Sequence, residues 1–275
     1  MTDFKIESRN RFLDVMNSIT KHEVNPKSKV TFLHQVDLTE VEAVRAEFAD
    51  RNQIKPSYTA FVAKALALAL KDHPYANRRV CRSLWPPRFG PRLQSFEQVD
   101  VTVAIERQVP GAEMAAFVDV IRDAEQLSIP VINERLRELA ESDVDSNRQW
   151  REYSTLVTRF PTSLASLMIR LPIYFPSLWV KYRGGAAMIS SPGKYGVDTI
   201  FANWWAPIAV SFGIVKQRPI VRGNEIAACP TFILTINFDV RVMAGAQAAM
   251  FGRRMIEILE RAKSEIPDLR NDASP

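Results

Sequence analysis

The chain has 275 residues, 47% hydrophobic and 24% charged, an ordinary composition for a protein with a buried core and one that excludes whole-chain disorder. Its net charge of +5 is spread along the sequence, which fits a solvated basic surface or, more sharply, attraction to an anionic ligand. No zinc-finger or helix-turn-helix pattern points to nucleic acid, and no run of about 18 uninterrupted apolar residues reads as a membrane span. The two cysteines, Cys81 and Cys229, are far apart and in no metal-binding spacing. That usage fits a reducing cytoplasm rather than a disulfide framework, and the polar residues 1–11 carry no apolar signal core.

Residues 4–20 place Phe12, Leu13, Val15, Met16 and Ile19 among polar neighbours, a spacing that predicts an amphipathic helix. Residues 29–38 read as a strand rich in β-branched and aromatic side chains. Thr39 with Glu42 three residues later forms a capping-box pattern, opening a helix through Phe48. Residues 58–71 are apolar on most faces, as in a buried helix, ending before Pro74. Strands are predicted over 99–105 and 115–120, and an amphipathic helix over 127–140, opened by Ser128 and Pro130. Residues 141–147 are polar and read as a loop.

Residues 148–182 mix Trp150, Phe160, Met168, Ile169, Tyr174, Phe175 and Trp179 with Arg159, Arg170 and Lys181, and are broken by Pro161, Pro172 and Pro176. They read as short broken helices. Strands follow over 187–190, 208–215, 220–222 and 231–240, then a helix over 245–263 and a frayed tail over 271–275.

Several segments in order carry a resemblance. Val36-Asp37-Leu38-Thr39 is similar to "VDVT", and Tyr58 to Ala65 to the helix that follows it. Pro74 and Asn77 match a "P…N" turn, Val99 to Ala104 resembles "vniGvAv", and Val118 to Ala124 resembles "vPVirdA". Gly184 to Gly193 lines up with "GGTFTISNLG", Ile208 to Val215 with "aIlgvG", and Asn237 to Ala246 with "SyDHRvIDGA". Together they resemble the catalytic domain of the dihydrolipoamide acyltransferases of 2-oxo acid dehydrogenases. The resemblance implies a chloramphenicol-acetyltransferase-like α/β fold of the two-layer α+β kind, a mixed sheet packed with helices and assembled as a homotrimer. It further implies active sites in channels between subunits, entered by coenzyme A from one end and a lipoyl thiol from the other.

The resemblance also exposes a departure. The family's base histidine falls on Val240 and its aspartate on Ala244, whereas Asp239, Arg241 and Gly245 keep the frame of the motif. A hydrocarbon side chain cannot take a proton, and general-base catalysis is typically worth about 10² to 10⁴ in rate. Ser190 matches the family's oxyanion serine, although a serine before Ser191-Pro192-Gly193 also suits a simple turn. Among the three histidines, His22 and His73 read as surface residues. His34, on a predicted strand, is the speculative substitute base.

One domain over residues 1–275 is expected, with a helical insertion over 148–183 and a polar tail over 264–275. No lipoyl or subunit-binding domain is expected, so an acyl carrier or lipoyl protein would come from elsewhere. The tail predicts a free trimer rather than a cage. The insertion would cover core, wall the substrate channel or, less readily, touch a membrane through residues 159–181. No covalently bound cofactor and no metal is expected, with coenzyme A or an acyl thioester as the substrate. Three functions compete: an acyltransferase with altered chemistry on a thioester, a non-catalytic scaffold or partner subunit, and condensation chemistry, whose "HHxxxDG" pattern is also missing.

Overall fold

The computed structural model of the chain describes residues 10–82, 92–109 and 112–270. The first helix, α1 (Arg11–Glu23), is capped by Asn10, whose side chain accepts from the Phe12 amide at 2.8 Å, and it buries Phe12, Val15 and Ile19. It reaches past His22, beyond the expected end at residue 20. Strand β1 (Lys29–Asp37) leads into α2 (Thr39–Asn52). The expected capping box does not form. The Thr39 amide and hydroxyl both turn back to Asp37 Oδ1, at 3.0 and 2.6 Å, while Glu42 is taken by Arg45 at 2.5 Å and by the Tyr58 hydroxyl.

Helix α3 (Tyr58–Asp72) is buried without interruption from Ala60 to Leu70, as its apolar composition predicts. Lys64 is the polar member of that run. Its ammonium donates to the carbonyls of Glu125 (3.0 Å) and Leu127 (2.6 Å) and lies 3.5 Å from Asp268, so the buried charge is paired and hydrogen-bonded.

Strands β2 (Arg78–Cys81) and β3 (Arg92–Ser95) form a separate two-stranded sheet that the sequence pattern does not reveal. The main sheet contains β1, β4 (Val101–Val109), β5 (Ala112–Ile121), β6 (Ala187–Ser190), β7 (Ile208–Phe212), β8 (Lys216–Arg222) and β9 (Glu225–Asp239). Its order is β1-β9-β7-β6-β4-β5, with β8 also pairing β9, and it is mixed: β6 runs parallel to β4 and β7 while the other pairs are antiparallel.

Directly opposed residues share a face and successive residues alternate, so the register assigns the two faces. Val36, Phe232, Leu234, Ile236, Val210 and Ile189 point into the main core, built with α3 and with α9 (Gly245–Glu260) through Phe251, Met255 and Ile258. Met188 and Ala209 point the other way and pack with Ile19, Trp179 and Trp205.

Ile169 and Trp179 of the predicted insertion pack on that second face, whereas its first helix meets Phe117, which the register places on the other one. The insertion folds as α5 (Arg148–Arg159), α6 (Thr162–Ile169), α7 (Leu171–Tyr174) and α8 (Pro176–Arg183), following α4 (Ile129–Glu141). Trp150 on α5 is fully buried against Phe12 and Phe117, and its indole donates to the Val118 carbonyl at 3.0 Å. The helix thereby covers β5, the strand at the sheet's edge. No single helix among the described residues is long and apolar enough to cross a membrane, although Thr162–Tyr174 and Pro176–Arg183 pass that test together as a pair bent by 108°.

Residues 264–270 of the expected polar tail are largely helical and pack on the chain's own body. Helices α10 (Ala262–Glu265) and α11 (Pro267–Arg270) dock on the body: Ile266 is fully buried, Leu269 packs against the core, and Asp268 accepts from the Ile129 amide at 3.1 Å. Residues 271–275, expected to fray, lie outside the described residues.

Candidate functional site

The turn after β9 holds Asp239, Val240 and Arg241. Asp239 is 5% exposed. Arg241 reaches it with its own amide (3.0 Å to Oδ1), with Nε (2.9 Å to Oδ1) and with Nη2 (2.6 Å to Oδ2). Burial opposes the carboxylate's charge, but the hydrogen bonds from Arg241, together with its charge and that of Lys29, outweigh burial and hold the carboxyl below its usual range.

Lys29 is paired in register with Asp239 across β1 and β9. Its ammonium donates to the Ala206 carbonyl at 2.6 Å, and burial brings its pKa down to about 8, partly offset by Asp239. Sequence reasoning misses this lysine, because only the strand register brings residues 29 and 239 together.

Val240 follows with its side chain 44% exposed, its amide held by the Ser28 carbonyl at 2.8 Å. Ala244 is exposed and occupies the N-cap position of α9. Gln247 accepts from the Ala244 amide at 3.0 Å, but Ala244 itself has no side-chain acceptor for the first free amides of the helix. Gly245 opens α9 with nothing among the described residues near the position a Cβ would take. Asp239, Arg241 and Gly245 thus surround two side chains, Val240 and Ala244, that can neither accept nor donate a proton.

Ser190 ends β6 on the second face, half-buried, and its hydroxyl makes no hydrogen bond among the described residues. The turn role falls to Ser191, whose hydroxyl donates to the Phe212 carbonyl at 2.9 Å and accepts from the Gly193 amide. The Ser190 hydroxyl is thereby left out of the turn.

Ser190 and Val240 do not meet within one chain. Ser190 aligns with Ser211 and Ser211 with Thr235, and the run from Thr235 to Val240 is about 17 Å of extended backbone. The serine end and the motif end therefore lie at opposite ends of the sheet. His34 lies on β1 as expected and does not lie beside Ser190 within one chain. It pairs with Leu234 on the helix-packed face, half exposed, with Nε2 3.8 Å from Glu260 on α9. His73 caps α3 and meets the Tyr75 hydroxyl at 3.0 Å, while His22 Nε2 lies 2.6 Å from Arg170.

Between the two ends, Ser211, Thr235 and Asn237 form a buried polar row beneath the 196–207 segment. Thr235 donates to the carbonyls of Ile200 and Ser211, and Asn237 Nδ2 donates to Thr31 at 2.9 Å, while its Oδ1 is buried without a partner among the described residues. Among the described residues no group of three or more His, Cys, Asp and Glu could hold a metal, and both cysteines are free.

The chain belongs to the 2-oxoacid dehydrogenases acyltransferase (catalytic domain) family, whose model matches residues 14–154 and 180–266 and so skips most of the α5–α8 segment. A dihydrolipoyllysine-residue succinyltransferase component of the 2-oxoglutarate dehydrogenase complex from Bartonella vinsonii subsp. berkhoffii is 24% identical over 257 residues, 90% of this chain and 52% of that protein. A dihydrolipoyllysine-residue acetyltransferase component of the pyruvate dehydrogenase complex from Bacillus subtilis is 24% identical over 256 residues, 88% of this chain and 48% of that protein. The chain thus spans about half the length of the curated relatives it matches. Among solved structures, the dihydrolipoamide acetyltransferase of Azotobacter vinelandii superposes with a TM-score of 0.67 at 22% identity, covering 95% of this chain and 94% of its own. In that acetyltransferase a serine, a histidine and an asparagine have been investigated for their role in the catalytic mechanism. A probable dihydrolipoamide acetyltransferase from Listeria monocytogenes superposes at 0.64 with 20% identity, covering 96% and 97%.

Proposed function

We propose that this chain binds an acyl thioester, carried on coenzyme A or on an acyl carrier or lipoyl protein, at a site completed between copies of a homotrimer, and that it lacks the family's fast base-assisted transfer. The observation that carries this reading is Val240. The turn around it is intact, its side chain is solvent-facing, and it has no titratable group. The separation of Ser190 from residue 240 along one sheet supports a site that needs a second chain. Ser190 would then supply the oxyanion donor, while deprotonation of the acceptor would proceed without an aligned base.

Calorimetric titration with acetyl-coenzyme A and longer acyl-coenzyme A species tests the binding, and transfer to dihydrolipoamide tests the chemistry. Binding with slow transfer is expected, rising by about 10² or more in Val240→His/Ala244→Asp. Absence of binding for every acyl-coenzyme A would reject the reading. Light scattering tests the assembly, with a free trimer expected and a 24-mer or larger overturning that part.

The second reading is a non-catalytic homologue acting as a trimeric scaffold or as a partner of an active enzyme. The loss of reactive groups at both Val240 and Ala244 favours it. It predicts no gain of transfer in the double variant.

A further inference from the structure

Helices α5–α8 do more than cover the sheet. Together with α1 and the Trp204–Trp205 segment they surround a cavity of about 590 Å³, within the size range of small-molecule sites. Met16, Ile19, Val118, Trp150, Leu171 and Trp205 are among the residues facing it. It opens to solvent on one side, as ligand clefts do.

Two polar atoms in this apolar wall are sealed from solvent and have no hydrogen-bond partner among the described residues: the Tyr153 hydroxyl oxygen and the Trp204 indole Nε1. Buried polar groups are nearly always paired, so two orphans around one cavity mark a place for a ligand atom. The indole can only donate and the phenol can donate, which selects an acceptor oxygen.

Arg183 also lines the cavity, lies over the Trp205 ring at 4.6 Å and is paired with the buried Glu23 at 2.8 Å, so its charge is already met. Phe160 and Met168 line the same cavity yet are 40% and 39% exposed, which leaves an apolar approach from solvent.

We propose that this cavity holds one long acyl chain, with its methylenes against the aromatic wall and its carbonyl oxygen accepting from Tyr153 and Trp204. A free fatty acid and the acyl arm of a thioester share that chemistry, and only the second rests on the function proposed above. The Trp204–Trp205 segment runs directly into Ala206 and Pro207, whose carbonyls receive Lys29 and the Asp239 amide. One wall of the cavity therefore continues into the backbone that braces the degenerate motif.

The full chain is titrated with octanoate, decanoate, dodecanoate, coenzyme A and dodecanoyl-coenzyme A, reading tryptophan fluorescence and calorimetry. Saturable one-to-one binding is expected, tightening about three- to fourfold per added methylene. Tyr153→Phe weakens dodecanoate about three- to tenfold without lowering the melting temperature, because the hydroxyl has no partner to lose among the described residues. Ala116→Trp, on the strand that floors the cavity, abolishes uptake while the circular dichroism spectrum is retained. Dodecanoate binding without dodecanoyl-coenzyme A binding keeps the cavity assignment and removes the thioester reading. Affinity independent of chain length, or unchanged in Tyr153→Phe, overturns the proposal. So does co-sedimentation with phosphatidylcholine–phosphatidylglycerol vesicles without saturable fatty acid uptake, which would reassign this apolar region to membrane contact.

Discussion

Arg241 holds both carboxylate oxygens of Asp239, Nε at 2.9 Å from Oδ1 and Nη2 at 2.6 Å from Oδ2, across a turn only two residues long. The grip fixes the backbone on which residue 240 is displayed. The turn's architecture and the side chain it displays can therefore be probed separately.

Asp239→Asn removes the charge and leaves Arg241 without its partner. Because Asp239 is buried and Arg241 is about one-third exposed, the expected loss is about 1.5–3 kcal/mol at pH 7. The folded carboxyl titrates below its unfolded value, so its contribution is present above about pH 4 and disappears as pH falls through the folded pKa. Urea unfolding of both proteins at pH 7 and near pH 3 checks this. A difference that does not shrink in acid would contradict it.

Ala244→Asp alone should stabilise the fold. An N-cap carboxylate would accept from the free amides of the first turn of α9 and sit favourably at the helix N-terminus, a gain of about 0.5–2 kcal/mol. Chemical denaturation reads it, and a neutral or negative effect would mean that the neighbourhood of residue 244 is already satisfied in another way.

Lys29 gives an alkaline signature. Burial lowers its folded pKa to about 8 from 10.5, so between those values the unfolded chain binds more protons than the folded one. Stability from this group therefore rises with pH across the window, by as much as about 3 kcal/mol at full titration. The difference in unfolding free energy between the native chain and Lys29→Met, measured from pH 7.5 to 10.5, should show that slope. A flat difference would place the amine in water.

Gly213→Ala tests the close approach of two backbones beside β7. A Cβ at Gly213 would fall 1.9 Å from the Asp198 carbonyl oxygen and 2.6 Å from that of Val197. Backbone cannot swing aside as a side-chain tip can, so the expected cost is about 3 kcal/mol, the upper end for overpacking. Thermal unfolding reads it directly.

Much of the fold is legible in the residue pattern. The apolar run of α3, the strand at 187–190 and the broken helices after Arg148 all follow from local periodicity and from Pro161, Pro172 and Pro176. The capping-box pattern misleads because Thr39 and Glu42 find nearer partners in Asp37, Arg45 and Tyr58. The short β2–β3 pair escapes notice because four residues carry too little alternation to stand out.

The missing proton acceptor at 240 is settled by sequence, because the chemistry of a valine or an alanine does not depend on where the chain carries it. Only the tertiary structure decides which residues share a surface. It sets His34 and Ser190 on opposite faces of one sheet, Ser190 and Val240 at opposite ends of it, Lys29 beside Asp239, and Tyr153 with Trp204 around one cavity. Strand register and the crossing of non-consecutive strands fix those neighbours, and both are relations between distant segments that local spacing does not encode.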